Sequence, residues 1–207
     1  MKWITIVTTL TVVCATSISS PTASAAQEPS APRVGTFDRL TGPRIALPED
    51  PRGESPLRQL CPDTSDTCRK YWAYTANFVE NYAIPLRDKE LIILRTAWLS
   101  RGDYIWGRHN LTGQRAGLTT EQIDNVTRGP DAPGWNDFDA ALLRAADELH
   151  TSRFISRATW DTLAQRYTEE QLREVVLIIG NYTQLAMFQN TLGALLPSDI
   201  EGLPEPN

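Results

Sequence analysis

Cysteine, histidine and long apolar stretches are all scarce in this chain of 207 residues, and each scarcity closes off a class of function. The three cysteines, Cys14, Cys61 and Cys68, form no Cys-x-x-Cys pair, which removes the usual arrangement for thiol redox chemistry. The two histidines, His109 and His150, lack a His-Glu-x-x-His run or a close acidic pair, so no metal is expected. There is no Gly-rich phosphate loop. Basic and acidic residues are mixed along the chain to a formal charge of −5, so no basic stripe can neutralise a phosphate backbone and nucleic acid is not an expected partner. Beyond the N-terminus no stretch is long and apolar enough to cross a bilayer.

The N-terminus itself reads as an export signal over residues 1–25. Lys2 supplies the positive start, Ile4 to Ala15 the short apolar run, and Ala23-Ser24-Ala25 a small-residue cleavage site. The run is too short and too rich in threonine for an anchor, since a span needs about 20 residues. The expected product is secreted or held in the secretory lumen. Cys14 leaves with the signal, and Cys61 and Cys68, an even pair in an oxidising compartment, are expected to form a disulfide closing a turn.

Residues 26–56, rich in proline, serine, glycine and charge, read as an extended or mobile arm, and residues 198–207 as a loose tail. One helical domain is expected between them, over 57–197. Apolar periodicity predicts helices at about 68–82, 86–100, 103–117, 119–127, 136–151, 156–166 and 169–195. Thr119 with Gln122 and Thr168 with Gln171 fit capping boxes, and Asn136 and Ser156 fit N-caps. Without strands or repeats the fold class is all-α, a helical bundle.

With two histidines in all, histidine-dependent chemistry has to run through His109 or His150. His109 lies in an aromatic-rich segment and shares a helix face with Ile105 one turn earlier. An imidazole in such a setting suits general acid–base work near neutral pH, and equally a core histidine bonded to backbone. Arg95 would sit about 21 Å along a continuous helix from His109, too far to assist it. Arg101 and Arg108 read first as surface arginines, and His150 as a polar residue at a helix C-terminus. Asn110, Asn125 and Asn181 open glycosylation sequons, meaningful only in a eukaryotic host, with Asn125 as the most accessible.

In order along the chain, the run Glu90 to Leu99, the block Tyr104-Ile105-Trp106-Gly107-Arg108-His109, the segment Arg115 to Thr119, Gly129-Pro130 with Trp135, the run Ala145 to His150, Thr159-Trp160 and Gly180-Asn181-Tyr182 resemble the carboxymuconolactone decarboxylase-like proteins, which share the AhpD-like helical fold. The resemblance spans about Leu86 to Asn190. It implies a trimer or hexamer and a site on the helix carrying Tyr104, Trp106 and His109, with Trp98, Arg108, His150, Tyr182 and Asn190 as further substrate-binding candidates. His109 would be the catalytic residue, with no cofactor. Two departures stand out. Where the peroxidase branch places its two cysteines, counting back from the histidine, this chain has Gly102 and Ile105. Many decarboxylase-like relatives carry glutamate where Ile105 stands, so a carboxylate partner that would favour imidazolium is lost, and either the chemistry differs or another group has taken over.

The resemblance implies a lyase or isomerase working by acid–base chemistry on a small lactone, keto acid or enolisable polyketide-like substrate, with secondary metabolism as a setting compatible with export. The rival readings are an alkyl-hydroperoxidase-type antioxidant enzyme, for which only Cys61 and Cys68 remain, and a secreted binding protein without catalysis.

Overall fold

The computed structural model describes residues 40–47 and 55–205, all within one compact unit spanning Asp38–Asn207. The signal segment, Cys14 and most of the arm therefore lie outside the described residues. Those residues form eight α-helices and no strand: α1 (Pro56–Leu60), α2 (Asp66–Glu80), α3 (Leu86–Leu99), α4 (Asp103–Arg115), α5 (Thr120–Arg128), α6 (Asp137–Ser152), α7 (Arg157–Ala164) and α8 (Glu169–Leu192). Seven match the helices expected from periodicity; α1, a single turn opened by Ser55 and Pro56 at the junction of arm and domain, is not among the expected helices.

The start signals act as expected. Thr119 and Thr168 each accept from the backbone of a glutamine three residues on, whose side chain bonds back to the cap. Asn136 caps α6 and Ser156 caps α7. Gly129 and Gly193 end α5 and α8 with positive φ, a conformation that costs glycine least.

Helix α3 is the axis of the bundle, with α4, α5, α6 and α8 packed around it. Every residue from Asp88 to Ala97 is buried. A helix buried on all sides has no solvated face for its charged residues, so each must find a partner inside. Asp88 accepts from the Tyr167 hydroxyl at 2.7 Å. Arg95 grips both carboxylate oxygens of Asp147, at 2.6 and 3.0 Å, and donates to the Val126 and Thr127 carbonyls at the end of α5. Next to Asp88, Arg87 forks onto Asp139.

Cys61 and Cys68 form the expected disulfide, with Cα atoms 5.2 Å apart, tying α1 to the start of α2. Trp72 packs behind it and donates to the Cys61 carbonyl at 2.7 Å.

The tail differs from expectation. Leu203 donates its backbone N–H to Asp103 at 2.8 Å, and Leu196, Ile200 and the Glu201 carbonyl close over Gly107 so tightly that a Cβ there would meet them at 2.7 to 3.0 Å. Residues 196–203 are docked on α4, because a glycine in mid-helix leaves a notch that apolar side chains fill. The described end of the arm is also held: Arg44 donates to the Leu192 carbonyl at 2.9 Å.

Glu148, near the end of α6, fixes the turn into α7 by accepting from the Ser156 N–H and the hydroxyls of Ser156 and Thr159. Burial pushes its carboxyl pKa up, but those hydrogen bonds and the nearby Arg144 outweigh it and hold the group below its ordinary 4.5. A carboxyl lowered in the folded state stabilises fully above its unfolded value, and loses that contribution as pH falls through the folded one. Glu148→Gln should therefore lower Tm at pH 7 by about 2–4 °C, and the gap from wild type should close as pH is taken below 4, read by calorimetry. Replacing Cys61 and Cys68 with serine should cost about 2–3 kcal/mol in denaturant unfolding, the loop-closure entropy of so short a ring.

Candidate active site

His109 stands on the second turn of α4, and its position is set by how closely α4 approaches α3. Gly113, one turn further on, makes that approach possible: a Cβ there would lie 3.1 Å from Leu118, 3.3 Å from Leu94 and 3.8 Å from the Glu90 Cβ. The result is a short contact between His109 Nδ1 and Glu90 Oε2, 2.6 Å apart. A carboxylate only accepts, so in the neutral ring Nδ1 carries the hydrogen and Nε2 keeps its lone pair. Glu90 is 1% exposed, whereas the His109 side chain keeps 20% of its surface accessible. The arrangement is a buried carboxylate behind an imidazole that reaches the surface.

Helix α8 closes the other side. Tyr182 meets the His109 ring edge-on, centroids 4.9 Å apart. Burial, then the charge of Glu90, then Tyr71 raise the Tyr182 phenol's pKa, so it stays a neutral hydroxyl. One residue earlier, Asn181 accepts from Thr75 of α2 at 3.1 Å through Oδ1, while its Nδ2 has no partner. The Tyr71 hydroxyl likewise makes no well-formed hydrogen bond, although Thr75 lies close enough to oppose the rise that burial gives its pKa. Two buried donors without acceptors thus border Tyr182.

The other sequence candidates divide. Trp98 and Trp106 pack against each other, centroids 6.1 Å apart, and Tyr104 is buried. Arg108 is exposed. Asn190 donates to the Ser100 carbonyl at 2.9 Å and so ties α8 to the end of α3. His150 belongs to the far end of α6, where burial and then Arg153 lower its pKa against the opposing pull of Asp147, so its neutral form is favoured. Arg95 is spent on Asp147 and the end of α5; the separation of about 21 Å expected along a continuous helix does not apply, because α3 and α4 are separate helices packed on each other.

Gly102 and Ile105 sit where the peroxidase branch keeps sulfur. Ile105 is buried, and a Cβ on Gly102 would stand 2.8 Å from Gln189 Nε2 and 3.3 Å from Ala186, so α8 fills the space a side chain would need. The carboxylate missing at Ile105 is supplied from α3 by Glu90, a partner that reading along α4 alone did not find. Its signal was present in the sequence: a glutamate opening the otherwise apolar run Leu91 to Leu94 has to be either surface or paired. Asn125, taken as the most accessible sequon, is 6% exposed and donates its amide to the Pro133 carbonyl; Asn181 is buried as well. Asn110 is half-buried and accepts from Gln114. A separate cleft of about 340 Å³ lies between α4, α5 and the tail, lined by Trp106, Asn110, Ile123 and Ile200 among others. Among the described residues no group of three or more histidine, cysteine or acidic side chains is placed to hold a metal, and no helix is long and apolar enough to cross a membrane.

Residues 63–148 match the model of the carboxymuconolactone decarboxylase family, a segment that contains both Glu90 and His109. Over that segment the chain is carboxymuconolactone decarboxylase-like. Its fold is AhpD-like. A protein of unknown function from Agrobacterium tumefaciens, linked to antioxidant defence protein AhpD, superposes with a TM-score of 0.59 at 15% identity, covering 65% of this chain and 92% of that one. An alkylhydroperoxidase AhpD core protein from Ralstonia eutropha gives 0.57 at 17% identity, covering 65% and 72%. The debrominase Bmp8, in complex with 2,3,4-tribromopyrrole, gives 0.59 at 16% identity, covering 69% and 76%. Comparison with curated proteins finds no significant match. At these identities the structural likeness establishes the fold, and the carboxymuconolactone decarboxylase-like segment leaves Tyr182 and the rest of α8 outside it.

Gly113→Val should separate α4 from α3. The expected result is a loss of about 1–3 kcal/mol in denaturant unfolding, with loss of the downfield proton resonance of the His109 Nδ1–H in NMR spectra.

Proposed function

We propose that this protein is a lyase or isomerase acting by acid–base chemistry on a small lactone, keto acid or enolisable polyketide-like substrate, with His109 as the base. The observation that carries this reading is the 2.6 Å contact between His109 Nδ1 and Glu90. Glu90 fixes the ring so that Nε2 presents its lone pair, and it stabilises the imidazolium formed when that nitrogen takes a proton from the carbon beside a carbonyl. The electrons of the broken C–H bond move onto the carbonyl oxygen as an enolate. Returning the proton to a different carbon completes an isomerisation. In a decarboxylation Nε2 first takes the proton of the substrate's carboxyl group, loss of carbon dioxide from the carboxylate generates the enolate, and the imidazolium returns that proton to the carbon.

An enolate needs donors as well as a base. The Tyr71 hydroxyl and the Asn181 amide, both buried and without acceptors, are the donors this reading assigns to the oxygen. Trp98, Trp106 and Tyr104 shape the apolar surroundings. Secretion after removal of residues 1–25 and assembly as a trimer or hexamer complete the proposal. The disulfide at Cys61–Cys68 is compatible with an oxidising compartment.

The thiol-peroxidase reading draws support from the fold shared with AhpD proteins, and meets the difficulty that Cys61 and Cys68 are bonded to each other while Gly102 and Ile105 offer no thiol. Screening wild type and variants against a panel of lactones and β-keto acids separates the readings. Turnover of a panel member should be abolished in His109→Ala and reduced about a hundredfold or more in Glu90→Gln. Undiminished turnover in His109→Ala would remove the histidine as catalyst. Peroxide reduction that vanishes in a Cys61→Ser variant would restore the thiol reading.

A further inference from the structure

Lysine is rare in this chain: of 20 basic residues only Lys2, Lys70 and Lys89 are lysines, the rest being arginines. Lys70 is an exposed partner of Asp66 on α2. Lys89 is buried, 5% exposed, in the centre of the bundle, a place where ammonium groups are costly and where this chain otherwise uses arginine. Its surroundings leave the charge poorly solvated. One hydrogen goes to the Phe78 carbonyl at 3.0 Å, in the last turn of α2. The Tyr82 ring lies under the ammonium, 3.5 Å from its centroid. The nearest formal anion is Glu90, whose Oε1 is 3.9 Å from Nζ while its Oε2 holds His109. Glu174 of α8 contributes at longer range and is itself occupied by the backbone N–H groups of Ala83 and Ile84.

The two oxygens of Glu90 therefore face opposite groups, the ammonium on one side and the imidazole on the other. Beyond these, the titratable group packed against the carboxylate is Tyr182 of α8, with Tyr71 of α2 behind it, and neither carries charge near neutral pH. We infer that Lys89 is a positioning residue for the Glu90–His109 pair: its ammonium keeps Glu90 ionised without touching the histidine, and thereby holds His109 in the Nδ1–H form with Nε2 bare. The inference rests on the acid–base reading of the pair. Electrostatically, a cation behind the carboxylate opposes formation of imidazolium in the resting site, so it lowers the pH at which the base becomes available. Burial pulls the ammonium's own pKa below its ordinary value, and Glu90 and Glu174 offset that only in part.

A purely structural alternative is that Lys89 only caps α2 through Phe78. The full chain labelled with 15N-histidine tests the difference without any substrate, since just two histidines need assignment and His150→Gln identifies which is which. Lys89→Gln can still donate to the Phe78 carbonyl, whereas Lys89→Met cannot, and both lack the charge. The expected result is that both variants raise the titration midpoint of the His109 ring by about half a pH unit or more. A shift in Lys89→Met but not in Lys89→Gln would overturn the inference in favour of the cap. So would titrations of both variants that superimpose on wild type. A separate Glu90→Gln variant, in which the ring should lose its preference for Nδ1–H, tests the pair itself, so the two failures are distinguishable. If the Lys89 variants do not fold, 15N-lysine spectra of the unaltered protein decide: a charged Lys89 Nζ at pH 7 is expected, and an uncharged one overturns the inference.

Discussion

The burial of α3 from Asp88 to Ala97 is the constraint on which the rest depends. A helix with no solvated face ordinarily carries apolar residues throughout, yet this one carries Asp88, Lys89, Glu90 and Arg95 among leucines and isoleucines. Each unpartnered charge in such a place would cost several kcal/mol, so the surrounding helices are held where they can supply partners. Tyr167, ahead of α8, answers Asp88; Asp147 on α6 and the end of α5 answer Arg95; His109 on α4 answers Glu90. Packing area drives the bundle together, while these pairs fix which helix lies where.

The same logic turns a structural demand into a chemical one. Asp88 and Arg95 are matched by groups that satisfy them and are themselves immobilised. Glu90 is matched by a histidine whose other nitrogen is not needed for the bond, so satisfying the core leaves a reactive atom in reserve. Gly113 admits the histidine, Tyr182 closes over it, and Gln189 with Ala186 occupies the space beside Gly102. What distinguishes the site from a satisfied core histidine is the one-sided arrangement: the carboxylate is sealed and the imidazole is not.

Much of the fold was legible in the sequence because its signals are local. Capping boxes at Thr119 and Thr168, the caps Asn136 and Ser156, and the punctuation at Gly129 and Pro130 depend on residues within a turn of one another, and their helices begin and end where those signals stand. Cys61 and Cys68 were close enough in sequence to pair without further information. His109 and Tyr182 stand out in the sequence from chemistry and from the family pattern, and the fold brings their rings together. Glu90 as a partner does not, because the pairing joins residues 19 apart on two different helices and one-dimensional periodicity reports which face is apolar but not what lies opposite. The docked tail was missed for the same reason, since its attraction is a notch at Gly107 that exists only once α4 has formed. Asn125 was misjudged because its short helix puts it against the Pro133 loop, and a sequon carries no information about burial.

The spacing of the α3 partners along the chain also governs when the protein can take shape. Arg95 waits 52 residues for Asp147, and Asp88 waits 79 for Tyr167. Until the final third of the polypeptide has been made, the central helix has buried charge to hide and nothing to hide it against, so early collapse around it is penalised. High separation between contacting residues slows the search for the native state, and here it also postpones commitment to the very end of synthesis.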